Sequence, residues 1–229
     1  MPQRTELRAA PKSEETRERI FNAALALFHR RGFETATVRD IAAEAGVATG
    51  AAYYYFASKD AIIMEFYRRS SAEMQPKIEL ALENASGLEQ RLRELILVKL
   101  AHFATNREIL RALLRNGADP KHPLSPFSPQ TSEIRDTDIA WFRRAVTDSD
   151  VRIPRDLAPH LPDILWFFQM GVIFFWVIDE SPGQARSKKL LTLGAKSVTS
   201  LIRVSALPLM RPVRKTALEL IDIVKGAAS

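Results

Sequence analysis

The sequence predicts an all-α protein: an N-terminal three-helix helix-turn-helix domain followed by a larger C-terminal helical domain. Three observations carry this. Apolar residues recur at helical spacing through most of the chain, and no stretch alternates as a half-buried strand does. Two short periodic segments, 38–45 and 48–55, meet at a Gly46-Val47 turn, and the second helix of such a pair can enter a DNA major groove. Residues 163–179 are apolar around the whole helical circumference, so other helices must cover them on every side.

Bulk properties exclude several classes. The 229 residues contain no cysteine, which removes disulfides, thiolate metal sites and cysteine nucleophiles. The four histidines, His29, His102, His122 and His160, are scattered, with no carboxylate at metal-ligand spacing. Neither a Gly-rich phosphate loop nor a nucleophile elbow is present, so neither an enzyme nor a cofactor or metal is expected. Met1–Lys12 lacks the apolar core of a signal peptide, and Ile164–Ile178 is short for a bilayer and broken by Gln169. A cytoplasmic protein without a membrane partner is expected. The net charge of +6 suits a polyanionic partner, but its distribution does not point at the helix-turn-helix. Residues 1–59 hold nine basic and seven acidic side chains, whereas 183–229 hold nine and two. A DNA reading must therefore rest on the motif.

Residues 1–12 read as a disordered arm whose Arg4, Arg8 and Lys12 could add phosphate contacts. The first helix is expected from Ser13, as N-cap, to Arg31, with Ile20, Phe21, Ala24, Leu25, Leu27 and Phe28 inward and Gly32 as a left-handed stop. Thr37-Val38-Arg39-Asp40 reads as a capping box opening a short helix whose inner face is Val38, Ile41, Ala42 and Ala45. Gly46 supplies the turn and Val47 plugs the gap between helices. The next helix runs from Ala48 to Tyr55, with three consecutive tyrosines: hydroxyls for phosphates, rings to pack beneath. The reading domain is thus 13–58, with its motif at 37–56, and the effector and dimerisation domain is 59–229.

From Ser58 a helix runs to about Met74, where Pro76 should kink or end it; residues 77–84 continue helically. Helices follow at 87–105, 107–115 and 132–147. Between the last two, 119–130 holds Pro120, Pro123, Pro126 and Pro129 and reads as a surface loop. Helices at 163–179, 189–207 and 208–225 complete the chain.

At this point a resemblance becomes specific. Residues 14–66 resemble the N-terminal domain of the tetracycline-repressor (TetR) family, and the family-type region reaches about residue 74. The match runs through Arg19-Ile20, Ala23-Ala24, Leu27-Phe28, Gly32-Phe33, Thr37–Ala42, Ala45-Gly46-Val47, Gly50, Tyr53, Tyr55-Phe56 and Ser58-Lys59. The chain departs from the family in having Ala48 where Ser is frequent and Tyr55 where His is frequent. The resemblance implies that Thr37 and Arg39 touch phosphate, that Thr49, Gly50 and Ala51 face base edges or backbone, that Tyr53 and Tyr54 reach phosphate or bases, that Tyr55 is part packing and part phosphate contact, and that Lys59 pairs with a phosphate. It also implies a homodimer through the helices near 163–179 and 189–207, a pseudo-palindromic double-stranded DNA operator, and repression relieved by a small apolar effector. Phe103, Trp141, Trp166, Gln169, Met170 and Phe174 are the candidate effector contacts. Two alternatives stay open: an activator, or a helical ligand-binding or enzyme-like protein whose head no longer reads DNA.

Overall fold

The computed structural model describes residues 9–115, 117 and 119–227, and among these it contains helices and turns and no strand. Helix α1 (Ala9–Arg31), α2 (Val38–Glu44) and α3 (Thr49–Tyr55) form the head. Helices α4 (Lys59–Asn84), α5 (Gly87–Phe103), α6 (Arg107–Leu114), α7 (Ser132–Thr147), α8 (Leu161–Ile178), α9 (Ala185–Ser205) and α10 (Arg211–Ala227) build the rest. Arg4 and Arg8 of the expected arm lie outside the described residues. Residues 9–12 are not arm but the first turn of α1, where Pro11 costs no helical hydrogen bond. Ser13 is therefore inside the helix rather than its cap.

The expected glycine stop, turn and capping box of the head are met by the geometry the sequence dictates. Gly32 and Gly46 have φ of +84° and +64°, a region that favours glycine. Thr37 caps α2: its Oγ1 accepts from Asp40 N at 3.1 Å, while Asp40 Oδ2 accepts from Thr37 N at 3.0 Å. Ala48 occupies the N-cap of α3 and makes no side-chain cap bond, as its missing hydroxyl requires.

Pro76 neither ends nor divides α4, which is a single helix of 26 residues. Its side chain is exposed, so water can satisfy the carbonyl that a proline cannot bond. The inner face of α4, Ile62, Ile63, Phe66, Met74, Ile78 and Leu82, continues across the proline without a break.

Two cores result. The head core is Ile20, Phe21, Ala24, Leu27, Phe28, Phe33 and Ile41 together with Phe56, Ile62, Ile63 and Phe66, and it recruits Ile109 and Leu113 from α6 and Leu124 from the 119–128 loop. The larger core packs α4, α5 and α7–α9 around Leu88, Leu92, Leu95, Phe142, Leu165, Trp166 and Trp176. Tyr67 and Phe103 pack against both cores. Helix α8 has the length and composition of a membrane span, but half of it is buried against neighbouring helices. Its uncovered face, with Phe167 and Ile178, continues onto an exposed stripe of α9 formed by Leu190, Leu193, Leu201 and Val204. Gly194 lets α8 and α9 approach closely: a Cβ there would lie 2.7 Å from the Phe168 ring.

Candidate nucleic-acid interface and effector cavity

The helix-turn-helix residues separate into an inward and an outward set. Ala52 and Phe56 are buried, and Tyr55 is half-buried with its hydroxyl 3.2 Å from Ser13 Oγ on α1. Tyr53 and Tyr54 point away, 52% and 82% exposed, although each is a large aromatic ring. Thr37 and Gly50 are exposed and Thr49 and Ala51 half-exposed. A Cβ at Gly50 would meet nothing, so its helix face is open to close approach by a partner. Arg39 is exposed and forms no ion pair among the described residues, whereas Arg30 pairs with Glu44 at 2.8 Å and Arg31 lies 4.0 Å from Asp40. Arg19 on α1, part of the family match but given no contact role there, is exposed and without an ion pair among the described residues.

Lys59 stands differently from the expectation of a phosphate contact. Its Nζ donates to the carbonyl oxygens of Phe33 and Glu34 at 2.8 and 3.2 Å and lies 4.7 Å from the centre of the Phe33 ring. The ammonium thus clips the α1–α2 corner to the start of α4.

A charge network fixes the head to α4. Glu65 accepts from Arg17 of α1 at 2.9 Å and from Arg69 at 2.8 Å, and Arg69 reaches Glu18 of α1 at 2.6 Å. Arg17, and then Arg69, hold the Glu65 carboxyl down to about 2. Arg69 also covers the Phe21 ring at 4.2 Å.

A cavity of about 120 Å³ lies where α4, α6, α7, α8 and the 119–131 segment meet. Of the expected effector contacts, Phe103, Trp166 and Met170 line it. Gln169 is fully buried behind the wall, donating to Asp138 at 3.1 Å. Trp141 packs elsewhere on the large core beside Arg144, and Phe174 faces a separate cleft with Arg111 and Arg115. The structure adds Tyr67, Leu110, Leu124, Pro126, Arg135, Asp138 and Ile173 to the lining.

The proline-rich segment is not a plain surface loop. Leu124, Ser125 and Ser128 are buried. Ser125 Oγ donates to Gly117 O at 2.6 Å, and Arg135 Nη1 donates to the carbonyls of Pro126 and Ser128 at 3.0 and 3.2 Å. Prolines cannot build a helix here, but they can be pinned through their carbonyls into a cavity wall.

Comparison with known proteins agrees with this geometry. Residues 20–66 match the family described as bacterial regulatory proteins, tetR family, and residues 91–219 match the tetracyclin repressor-like C-terminal domain. The HTH-type transcriptional regulator SrpR of Pseudomonas putida is 30% identical over 153 residues, 66% of this chain and 70% of that protein. A TetR transcriptional regulator from Nitrosomonas europaea shares the fold with a TM-score of 0.62 at 21% identity, over 81% of this chain and 98% of that one. FadR from Bacillus subtilis, solved in complex with stearoyl-CoA, does so with a TM-score of 0.61 at 15% identity, over 80% of this chain and 97% of that one. With both halves of the chain matched and the helix-turn-helix built as described, the chain belongs to the tetracycline-repressor family and is a DNA-binding transcriptional regulator.

Proposed function

We propose that the chain acts as a homodimeric repressor that leaves a pseudo-palindromic operator when a small apolar ligand enters the cavity beside Trp166. The observation that carries the DNA half is the exposure of Tyr53 and Tyr54 on a helix whose other face is buried. Two large rings lie in solvent on a seven-residue helix, Tyr54 meeting the Tyr55 ring edge to face at 5.1 Å, and their exposure supports contact of the hydroxyls with phosphate or bases. Thr37 and Arg39, both exposed at the start of α2, would grip phosphate, while Thr49, Gly50 and Ala51 would allow close approach to the groove. Tyr55 steadies α3 against α1, and Lys59 acts by holding the corner from which α2 departs.

The apolar stripe on α8 and α9 supports the dimer. A second copy would cover Phe167, Ile178, Leu193 and Leu201, and two-fold symmetry would place two heads on matching half-sites. A cavity bounded by α4, α6 and α8 supports ligand control, because a ligand that favours one arrangement of these helices shifts the population toward it. The fold shared with FadR bound to stearoyl-CoA supports a helical domain that takes ligands.

The test is a gel-shift titration against DNA flanking the gene for this chain. A shift that weakens with salt and is lost in Tyr53→Phe and Tyr54→Ala is expected. Equal binding to unrelated DNA would count against an operator.

A further inference from the structure

The cavity beside Trp166 has one feature that an apolar receptor does not need. Its wall includes the carboxylate of Asp138, and behind that carboxylate lies a fully buried lysine. Lys99 Nζ is 2.7 Å from Asp138 Oδ1, yet no aligned hydrogen bond satisfies it among the described residues. Gln169 Nε2 donates to Asp138 Oδ2, while Gln169 Oε1 is buried and unpartnered among the described residues. Burying a charge and an amide in a helical core is costly, and an apolar trio of the same volume would pack at least as well.

The charges facing the cavity decide what could use them. Asp138 is the negative group at the wall; Arg135 lines the same wall and Lys99 lies directly behind. The local balance is positive, so a cationic ligand is repelled, while Asp138 itself opposes an anion. What remains is a neutral group that donates to the free lone pairs of Asp138. The Tyr67 hydroxyl has no hydrogen-bond partner among the described residues and belongs to the same lining, so it can donate to the oxygen of that group. Burial pushes the Tyr67 phenol far above its ordinary range, which keeps it a donor.

We infer that the effector is an uncharged, mainly apolar molecule carrying one hydroxyl, a phenol or an alcohol, which donates to Asp138 and accepts from Tyr67. This rests on the reading of the cavity as an effector site. Lys99 and Gln169 act as positioning residues that hold the carboxylate aimed at the cavity.

The experiment compares four probes of one shape by calorimetry on the full chain: 4-butylphenol, 4-butylanisole, 4-butylbenzoate and 4-butylbenzylammonium. The phenol should bind about tenfold or more tightly than the anisole, whose donor is methylated, and both charged probes should bind more weakly still. Single variants at the pair leave a buried charge and can unfold the chain, so the informative variant is Lys99→Met with Asp138→Leu. It should fold, keep anisole binding and lose the preference for the phenol. Tyr67→Phe should lower the affinity for the phenol and for the anisole alike, because each offers an oxygen to the Tyr67 hydroxyl, and should leave the preference for the phenol in place. Anisole, benzoate or ammonium binding as well as the phenol overturns the hydroxyl inference and leaves ligand control standing. A phenol preference that survives the double variant also overturns it. No binding by any probe overturns both.

Discussion

The ammonium of Lys59 lies 2.8 Å from the carbonyl oxygen of Phe33 and 4.7 Å above that residue's ring. A lysine at the N-terminus of α4 therefore holds the chain corner that precedes the helix-turn-helix. Lys59→Ala should cost about 1 kcal/mol of stability, from one charge-assisted bond and part of a cation–π contact, read by chemical denaturation. Its effect on DNA binding should leave the salt dependence unchanged. Arg39→Ala should behave oppositely, leaving stability intact and reducing the log–log salt slope by about 0.9, the value for one phosphate. A loss of slope in the lysine variant would return Lys59 to the phosphate backbone.

Acid should release the head from α4. The Glu65 carboxyl is held at about 2 by Arg17 and Arg69, below its unfolded value near 4.5. A depressed carboxyl contributes stability that is fully present above the unfolded value and is lost as pH falls through the folded one. Denaturation midpoints should thus decline from about pH 5 toward pH 2. Glu65→Gln should be less stable at pH 7 by on the order of 2 kcal/mol and should flatten that decline. Parallel pH curves for the two proteins would refute the assignment.

Gly194→Ala should disturb the α8–α9 contact, because the new methyl would stand 2.7 and 2.8 Å from two Phe168 ring atoms. The ring must rotate or the helices must part, at a cost of about 1–3 kcal/mol. Phe168→Leu in the same chain should recover part of it. If α8 and α9 form the dimer, sedimentation equilibrium will also show weaker association in the single variant.

Tyr54→Ala and Phe56→Ala differ by two positions and should part company entirely. Tyr54 is solvent-facing, so its loss should leave the melting temperature unchanged and weaken operator binding. Phe56 is 3% exposed within the head core, and its truncation should cost about 3–5 kcal/mol. Thermal melts alongside gel shifts separate the two.

Leu201→Glu places a charge on the exposed stripe of α9, where Leu201 is 67% accessible in the single chain. A folded monomer is the expected product, because the site is open in the chain and, in the proposed dimer, would be covered by a second copy. A dimer unaffected by this change would move the interface elsewhere.

Local rules made the head legible. Thr37 and Asp40 form their capping box, Gly46 takes positive φ, and the alternation of Ala52 and Phe56 with Tyr53 and Tyr54 follows helical periodicity. The misreadings share a cause: each depended on a partner distant in sequence. Pro76 was read as a break because its exposed position on α4 is set by packing. Lys59 also has a role within the chain that its motif position does not reveal, because the carbonyls of Phe33 and Glu34 lie distant in sequence. The cavity was only half visible, since aromatic spacing finds Phe103 and Trp166 but no pattern marks Asp138 as the polar partner of Lys99. The prolines of 119–130 signalled irregular backbone correctly, yet whether such backbone is buried depends on Arg135, which the loop's own composition does not show.

Tyr67 and Phe103 pack against both cores and also line the cavity. If the cavity takes an effector as proposed, no separate messenger is needed between ligand and head, and the arrangement would restrict how such a regulator can diversify. Positions such as Pro126 and Ile134, which line the cavity and belong to neither core, could change to suit a new molecule with limited consequence beyond it. A change at Tyr67 or Phe103 retunes molecular taste and grip on DNA together. Diverging copies of this gene would therefore acquire new inducers by substitution around those two rings while the rings themselves stay fixed.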